Sequence, residues 1–343
     1  MSFQQLVDQI VQAAVVEDRS FSDLLPQLMR EAQSTPLAEL NAALPRLAEG
    51  IAEAPPNLGG WLAVLTGAWI EQGADPAPVG TAVIERTTDV TAASLSFAKA
   101  WEEGSDGKPP PDMEEEKPSQ EVFDTVAPAL GEGAVTAMMS WFSLHQFALA
   151  ACTVLQMGPS VRAGVTDRDF RSFISQKAGQ YLGRMNHYAA LLRVLDGERI
   201  LVLDRASRRG WTVTIGGVGD NFQLHVLLAG ALIGRPGGLE GERPAPEIIA
   251  CFLNADVPPG RPIVSSPWNL VDAHGEPIWN EGVPADIPVV NGTRVVVLDP
   301  PSYGRHFPAG RRFPLMPATF RVDGTHLPED LGAWWPHIKP ATR

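Results

Sequence analysis

The hydrophobic period of the chain changes near residue 198, and this change constrains the possible folds more than any other feature. Before it, apolar residues recur at helical spacing, as in Phe3, Leu6, Val7 and Ile10. After it, "RILVLD" (199–204) and "GWTVTIGG" (210–217) are β-branched and apolar, and the second alternates along its length. Helical segments followed by strands predict an α+β chain.

We therefore predict two domains in the 343 residues. Residues 1–197 should form an all-α domain of helical hairpins or an irregular bundle, without the fixed repeat of a named repeat family. Residues 198–343 should form a smaller α+β domain with a mainly antiparallel sheet and long Pro- and Gly-rich loops.

The segment 104–120, "GSDGKPPPDMEEEKPSQ", is acidic and contains three consecutive prolines. It is either a linker or a long loop inside the helical domain. Strong helical periodicity resumes directly after it, which favours the loop.

Charge is divided unevenly along the chain, whose net charge is -13. Residues 1–160 hold 7 Lys and Arg against 22 Asp and Glu, whereas the remainder holds 20 against 18. This balance argues against nucleic-acid binding by the whole chain. It also predicts that the helical half offers an acidic surface to a protein partner.

The run Ala134–Met157 has no charged residue and is long enough to cross a bilayer. His145 and Gln146 lie near its middle, where polar side chains are costly in hydrocarbon, and no Lys or Arg cluster flanks it. We predict a buried central helix with His145 as a core histidine, and no membrane role. The N-terminus lacks a basic signal-peptide region, so a soluble, cytoplasmic protein is expected.

The two cysteines, Cys152 and Cys251, lie in apolar runs and are predicted to be buried free thiols. No histidine pair has helical metal-ligand spacing, so no metal is predicted, and no cofactor either. "EIIACFL" (247–253) predicts a short buried strand, 257–290 predicts coil, and "RVVVLD" (294–299) predicts another strand.

The stretch 216–230, "GGVGDNFQLHVLLAG", predicts a strand, a glycine turn and a helix capped by Asp220 or Asn221. A dinucleotide site is not favoured, because the G-x-G pattern lacks its third glycine at Phe222. The structural interpretation places His225 beside the apolar stripe of the helix. The alternative is a site in which Asp220 orients His225 as a general base, or the helix N-terminus at Asn221 binds an anion. No nucleophile motif accompanies it.

The segment 302–314 is the best anion-binding candidate. It carries four basic residues among aromatic ones, and guanidinium groups suit phosphate or carboxylate. The members are Arg305, His306, Arg311 and Arg312, with Tyr303 and Phe307. An ordinary solvated basic loop is the favoured alternative.

Two further patterns have a structural and a functional interpretation. "VDAHGE" places Asp272, His274 and Glu276 on alternate residues, as ligands or an acid–base pair would be, but an ordinary polar turn is favoured. Four tryptophans lie in loops. We predict core positions for Trp268 and Trp279, and for the adjacent Trp334 and Trp335 either core or an interface.

Together these features favour a binding or accessory protein that acts through protein–protein contacts over an enzyme. The alternative is an enzyme or small anionic-ligand binder. Its site would lie in the C-terminal domain, near Asp220, His225 and the Arg-rich 302–314 segment.

Overall fold

The computed structural model describes residues 1–301 and 304–342 and shows an α+β chain of two compact units, Met1–Leu192 and Arg193–Arg343. The first unit is helical. Its helices are α1 (Phe3–Val15), α2 (Phe21–Ala32), α3 (Leu37–Glu53), α4 (Pro56–Glu71), α5 (Ala77–Gly104), α6 (Gln120–Leu130), α7 (Ala134–Met157), α8 (Pro159–Gly164), α9 (Arg168–Ala178) and α10 (Arg184–Leu191).

Helix α7 is the core helix of the first unit, where it packs against α4, α5, α6 and α10. The helical stretch Gln120–Met157 is long and apolar enough to cross a membrane by length and composition, but 83% of its apolar window is buried inside the structure. Burial of most of its surface explains why this helix has no polar face. The predicted core helix is thus observed, with Cys152 buried within it and His145 half-buried.

The acidic, proline-rich segment between α5 and α6 is a loop within the first unit. Two indoles hold it: Trp101 Nε1 donates to the carbonyls of Lys108 and Pro109, both at 3.0 Å, and Trp141 Nε1 donates to Pro111 O at 2.9 Å. The loop residue Met113 is buried, with 5% of its surface exposed. The loop is therefore fastened to the helices rather than separating two domains.

The second unit is built on a mixed sheet. Its strands and helices are β1 (Asp196–Asp204), β2 (Gly210–Gly216), α11 (Asn221–Leu232), α12 (Pro246–Leu253), β3 (Ile263–Ser265), β4 (Asn269–Asp272), β5 (Val289–Val290), β6 (Thr293–Asp299), β7 (His306–Pro308) and β8 (Thr319–His326). The main sheet has the order β4-β6-β1-β2-β8, with β5 beside β6, and β3 pairs with β7 separately. Only the β1–β6 pair is parallel among the described strands, so the sheet is mainly antiparallel, as predicted.

Both faces of the main sheet are covered. Side chains alternate across a strand, so Ile200 and Val202 of β1 join the larger core with α11 and α12, while Leu201 and Leu203 face the other way. There the C-terminal segment covers them, including Trp334 and Trp335, both half-buried. Arg208 lies over the Trp335 ring, 3.8 Å from its centroid.

Two sequence predictions in this unit are wrong. The run 247–253 is helix α12, not a strand: Pro246 occupies its first turn, and Ile248, Cys251 and Phe252, three and four residues apart, form its buried face. The predicted coil 257–290 contains three short strands, β3, β4 and β5. Apolar runs of this length do not separate helix from strand by period alone.

Candidate functional site

The stretch that follows β2 folds as predicted, into a turn and a capped helix. Gly217 has φ +65°, a conformation that favours glycine. The Asp220 carboxylate accepts from Gln223 N at 2.8 Å, and the Gln223 side chain in turn accepts from Gly219 N at 2.8 Å. Asp220 is therefore the N-cap of α11, and Asn221 is the first helical residue.

The first-turn N–H groups of α11 are occupied by protein acceptors. Asn221 N donates to the carbonyls of Asn280 and Gly282, both at 3.0 Å, and Phe222 N donates to Asn280 O at 3.1 Å. The Asn221 side chain, fully buried, donates from Nδ2 to Trp279 O at 2.8 Å. This helix terminus thus fastens the 279–282 loop instead of presenting free donors to an anion.

His225 is a core histidine with 1% of its surface exposed. Its Nδ1 lies 3.4 Å from Ser266 Oγ, and its ring stacks against Trp268 with centroids 6.0 Å apart. Burial lowers the pKa of His225 to about 3, so the imidazole is neutral at ordinary pH. Asp220 and His225 share no hydrogen bond in the described part of the chain, so the hypothetical Asp220–His225 acid–base pair is not assembled here.

Burial acts in the opposite direction on the Asp220 carboxyl. Desolvation raises its pKa to about 6, although the hydrogen bond from Gln223 N and the charge of Arg312 favour the ionised form. The Asp220 carboxylate therefore stabilises the helix as its cap, while its buried negative charge lowers the free energy of unfolding.

The basic residues of 302–314 do not gather around one point. Arg311 donates to Cys251 O at 3.0 Å and to Pro314 O at 2.7 Å. Arg312 donates to Glu281 O at 3.3 Å. These guanidinium groups fasten loops through main-chain carbonyls.

Arg305 and His306 of the same segment line a cavity instead. Ser266 N donates to the carbonyl of Arg305 at 3.0 Å, and His306 Nδ1 lies 3.0 Å from Ser265 Oγ across the β3–β7 pair. Tyr303, the aromatic residue predicted to accompany them, lies outside the described residues.

We call this cavity, of about 670 Å³, the Asp299 pocket. Its volume is typical of small-molecule sites, about 300–1,000 Å³. Besides Arg305 and His306, its lining includes Phe222, Asn269, Trp279, Asn280, Glu281, Asp299 and Phe307.

Three residues of the pocket lining each have a buried side-chain oxygen without a hydrogen-bond partner among the described residues: Asn269 Oδ1, Asn280 Oδ1 and Asp299 Oδ2. Asn269 and Asp299 are directly opposite each other in the antiparallel β4–β6 pair, so their side chains share a face. Asn280 and Asp299 are only 7% and 5% exposed. Buried acceptors of this kind are normally satisfied, so this wall calls for donors from a water or a ligand.

Asp299 is held in place by an ion pair on its other oxygen. Arg205 Nε lies 2.5 Å from Asp299 Oδ1, and Arg205 Nη2 donates to Lys339 O at 3.0 Å. Opposite charge at this distance offsets the cost of burying the carboxylate. The remaining oxygen keeps its capacity to accept.

The pocket residues were largely missed by sequence reasoning. Trp279 was predicted to be core and is 78% exposed, whereas the prediction for Trp268, at 8%, is confirmed. The residue before Trp279, Ile278, occupies the buried position instead, with 6% exposure. One signal was present: Asp299 ends the apolar strand β6, a position where a polar side chain reaches the edge of the sheet.

The other sequence candidates are structural. Asp272 Oδ1 accepts from His274 N at 2.8 Å and from Glu276 N at 3.0 Å, which makes "VDAHGE" the polar turn that was favoured. Among residues 1–301 and 304–342, no group of three or more His, Cys, Asp or Glu could hold a metal ion.

Comparisons of the chain with protein-family models, with curated proteins and with solved structures found no match.

Proposed function

We propose that the C-terminal unit binds a small polar molecule in the Asp299 pocket. The observation that carries the proposal is the set of three buried oxygens, on Asn269, Asn280 and Asp299, without partners in the described structure. A ligand with hydroxyl or amino donors would satisfy them, and each satisfied acceptor removes a desolvation cost of about 1–3 kcal/mol.

The charges around the pocket constrain this ligand further. Asp299 and Glu281 are acidic, whereas Arg305 is basic. Because both signs are present, a strongly anionic ligand is less suitable here than the sequence alone suggested. A neutral or zwitterionic ligand avoids placing a net charge beside a lining residue of the same sign.

Ligand-induced thermal stabilisation tests the proposal, with a panel of monosaccharides, disaccharides, amino acids, nucleosides and polyamines. At 100 times its Kd, a ligand adds about 2.7 kcal/mol to the free energy of unfolding. We expect at least one class to raise the melting temperature of the wild type. Asp299→Asn should abolish the shift, because it replaces the free acceptor by an amide while leaving an oxygen for Arg205.

Asp204→Asn is the matched control. Asp204 ends the neighbouring strand β1, is 7% exposed, and accepts from Ser207 N at 2.7 Å, outside the pocket lining. Asp204→Asn should retain the ligand-induced rise in melting temperature. If no class stabilises the wild type, or if Asp299→Asn responds as the wild type does, the proposal is wrong.

A second proposal concerns the N-terminal unit, which we infer presents an acidic surface to a protein partner with a basic surface. Its support is the excess of acidic residues in 1–160. Separately, α9, outside that stretch, exposes two aromatic side chains, Phe170 and Phe173, at 57% and 55%.

Pull-down followed by mass spectrometry at low and high salt tests this second proposal, with the wild type and a Phe170→Ser, Phe173→Ser variant as baits. Capture should weaken in high salt, which screens charge, and in the variant. A chain that stays monomeric and recovers no partner contradicts it.

A further inference from the structure

Trp279 is the most exposed large apolar side chain in the described chain, at 78%, although both its neighbours, Ile278 and Asn280, are buried. Its backbone is fixed: the carbonyl accepts from Asn221 Nδ2 at 2.8 Å and from Gly282 N at 3.1 Å. The indole is thus held at the pocket by a rigid main chain while its ring faces solvent. An exposed ring of this kind contributes little to the stability of the fold, but it offers a surface on which a ligand can stack.

The polar wall of the pocket matches hydroxyl groups in particular. A hydroxyl both donates and accepts, and so does each side-chain amide, so Asn269 and Asn280 can bond a hydroxyl in either amide orientation. The free oxygen of Asp299 accepts from a second hydroxyl, while its charge is compensated by Arg205. Such a wall does not require a charged ligand.

Two aromatic residues also line the pocket. Phe222 and Phe307 line the pocket with ring centroids 4.6 Å apart, tilted by 50°. A pocket with apolar rings on one part and amide and carboxylate oxygens on another suits a molecule with one apolar face and a polar edge. A sugar ring has C–H groups on its faces and hydroxyls around its edge.

We propose that the ligand of the Asp299 pocket is a neutral saccharide of one or two rings, stacked on Trp279 and bonded through its hydroxyls to Asn269, Asn280 and Asp299. This inference rests on the proposed small-molecule function of the pocket. The volume of about 670 Å³ accommodates one or two rings. Adenosine, spermidine and glutamate represent the competing ligand classes.

Saturation-transfer NMR and tryptophan fluorescence, with the full chain, test the inference. The probes are glucose, galactose, mannose, maltose, cellobiose and trehalose, with adenosine, spermidine and glutamate as comparisons. Trp279→Ala should weaken saccharide binding at least tenfold without loss of folding, because the side chain is exposed. Trp279→Phe, which keeps an aromatic ring, should lose less. Trp61→Ala, at a 43% exposed position of α4 outside the pocket lining, should bind within twofold of the wild type.

The outcomes separate this inference from the proposed function. Saccharide binding that survives Trp279→Ala overturns the stacking assignment. Binding of adenosine, spermidine or glutamate with no saccharide bound overturns the saccharide while leaving a small-molecule pocket. If none of the probes binds, both proposals fail.

Discussion

Replacement of Asp220 by Asn should stabilise the protein at neutral and alkaline pH. Asp220 caps α11 with an oxygen that Asn also provides, and Asn is an equally good cap residue. The substitution therefore keeps the hydrogen bond to Gln223 N and removes a buried charge. The two effects of this carboxylate, capping and desolvation, become separable by experiment.

The magnitude follows from the pKa of about 6 for buried Asp220, against an ordinary value of 3.8. A raised carboxyl pKa means that the native state holds its proton more tightly than the unfolded state does. Its contribution to stability is fully present below about pH 4 and is lost as the pH rises through 6. The difference between a pKa of about 6 and the ordinary 3.8 corresponds to about 3 kcal/mol, so Asp220→Asn should gain about 2–3 kcal/mol at pH 8 and almost nothing near pH 4.

Urea unfolding followed by tryptophan fluorescence at pH 4, 5, 6.5 and 8 measures this difference. Asp220→Ala is the companion variant: it removes the charge and the cap oxygen together, so it should lie about 1 kcal/mol below Asp220→Asn at every pH. An Asp220→Asn advantage that is absent at pH 8, or is the same at all four pH values, refutes the reasoning.

Three other predictions concern the two units. His225 has a lowered pKa, so its contribution to stability is complete above about pH 6.5 and is lost as the pH falls towards 3. Between pH 7 and 5, wild type should lose about 2 kcal/mol more than His225→Leu in urea unfolding. Trp141→Phe removes the donor to Pro111 O and should speed limited proteolysis in the 105–119 loop, whereas Trp61→Phe should not. Gly217→Ala forces a side chain into φ +65° and should cost at least about 1 kcal/mol, measured by thermal unfolding.

The sequence predicted the parts of the fold whose signals are local. The β1–β2 hairpin has alternating apolar residues, and the start of α11 has a glycine turn and a cap residue within six positions. Each of these elements is specified by neighbours in the chain. The same holds for α7, whose uncharged run is buried over most of its surface.

Elements that depend on tertiary contacts were not predictable in this way. Helix α12 is eight residues long, and its run of apolar residues fits a strand equally well until Ile248 and Phe252 are seen packing in the core. Strand β4 is four residues long and exists because β6 lies beside it. Short elements of this kind take their conformation from their partners.

The candidate site is the feature least predictable from the sequence, because it is formed by segments that are distant along the chain. Asn269 and Asp299 become neighbours only through strand pairing, and Asn280 joins them because Asn221 fixes its loop. An unsatisfied acceptor is a property of the folded surroundings and has no sequence signature. Of the two candidates at the start of α11, Asn221 instead supports the loop that carries Trp279, and Asp220 caps the helix.

The β1–β6 pair, the one parallel pair among the described strands, delays completion of the sheet during folding. Ile200 of β1 pairs with Arg294 of β6, and β2 pairs with β8, which ends at His326. The hairpin of β1 and β2 therefore waits for two strands from late in the chain, and closing such long loops is slow. On the ribosome, the helical unit can form while the hairpin is still exposed on both edges. Chaperone dependence and aggregation during synthesis should thus be concentrated in the interval between the emergence of β2 and that of β8.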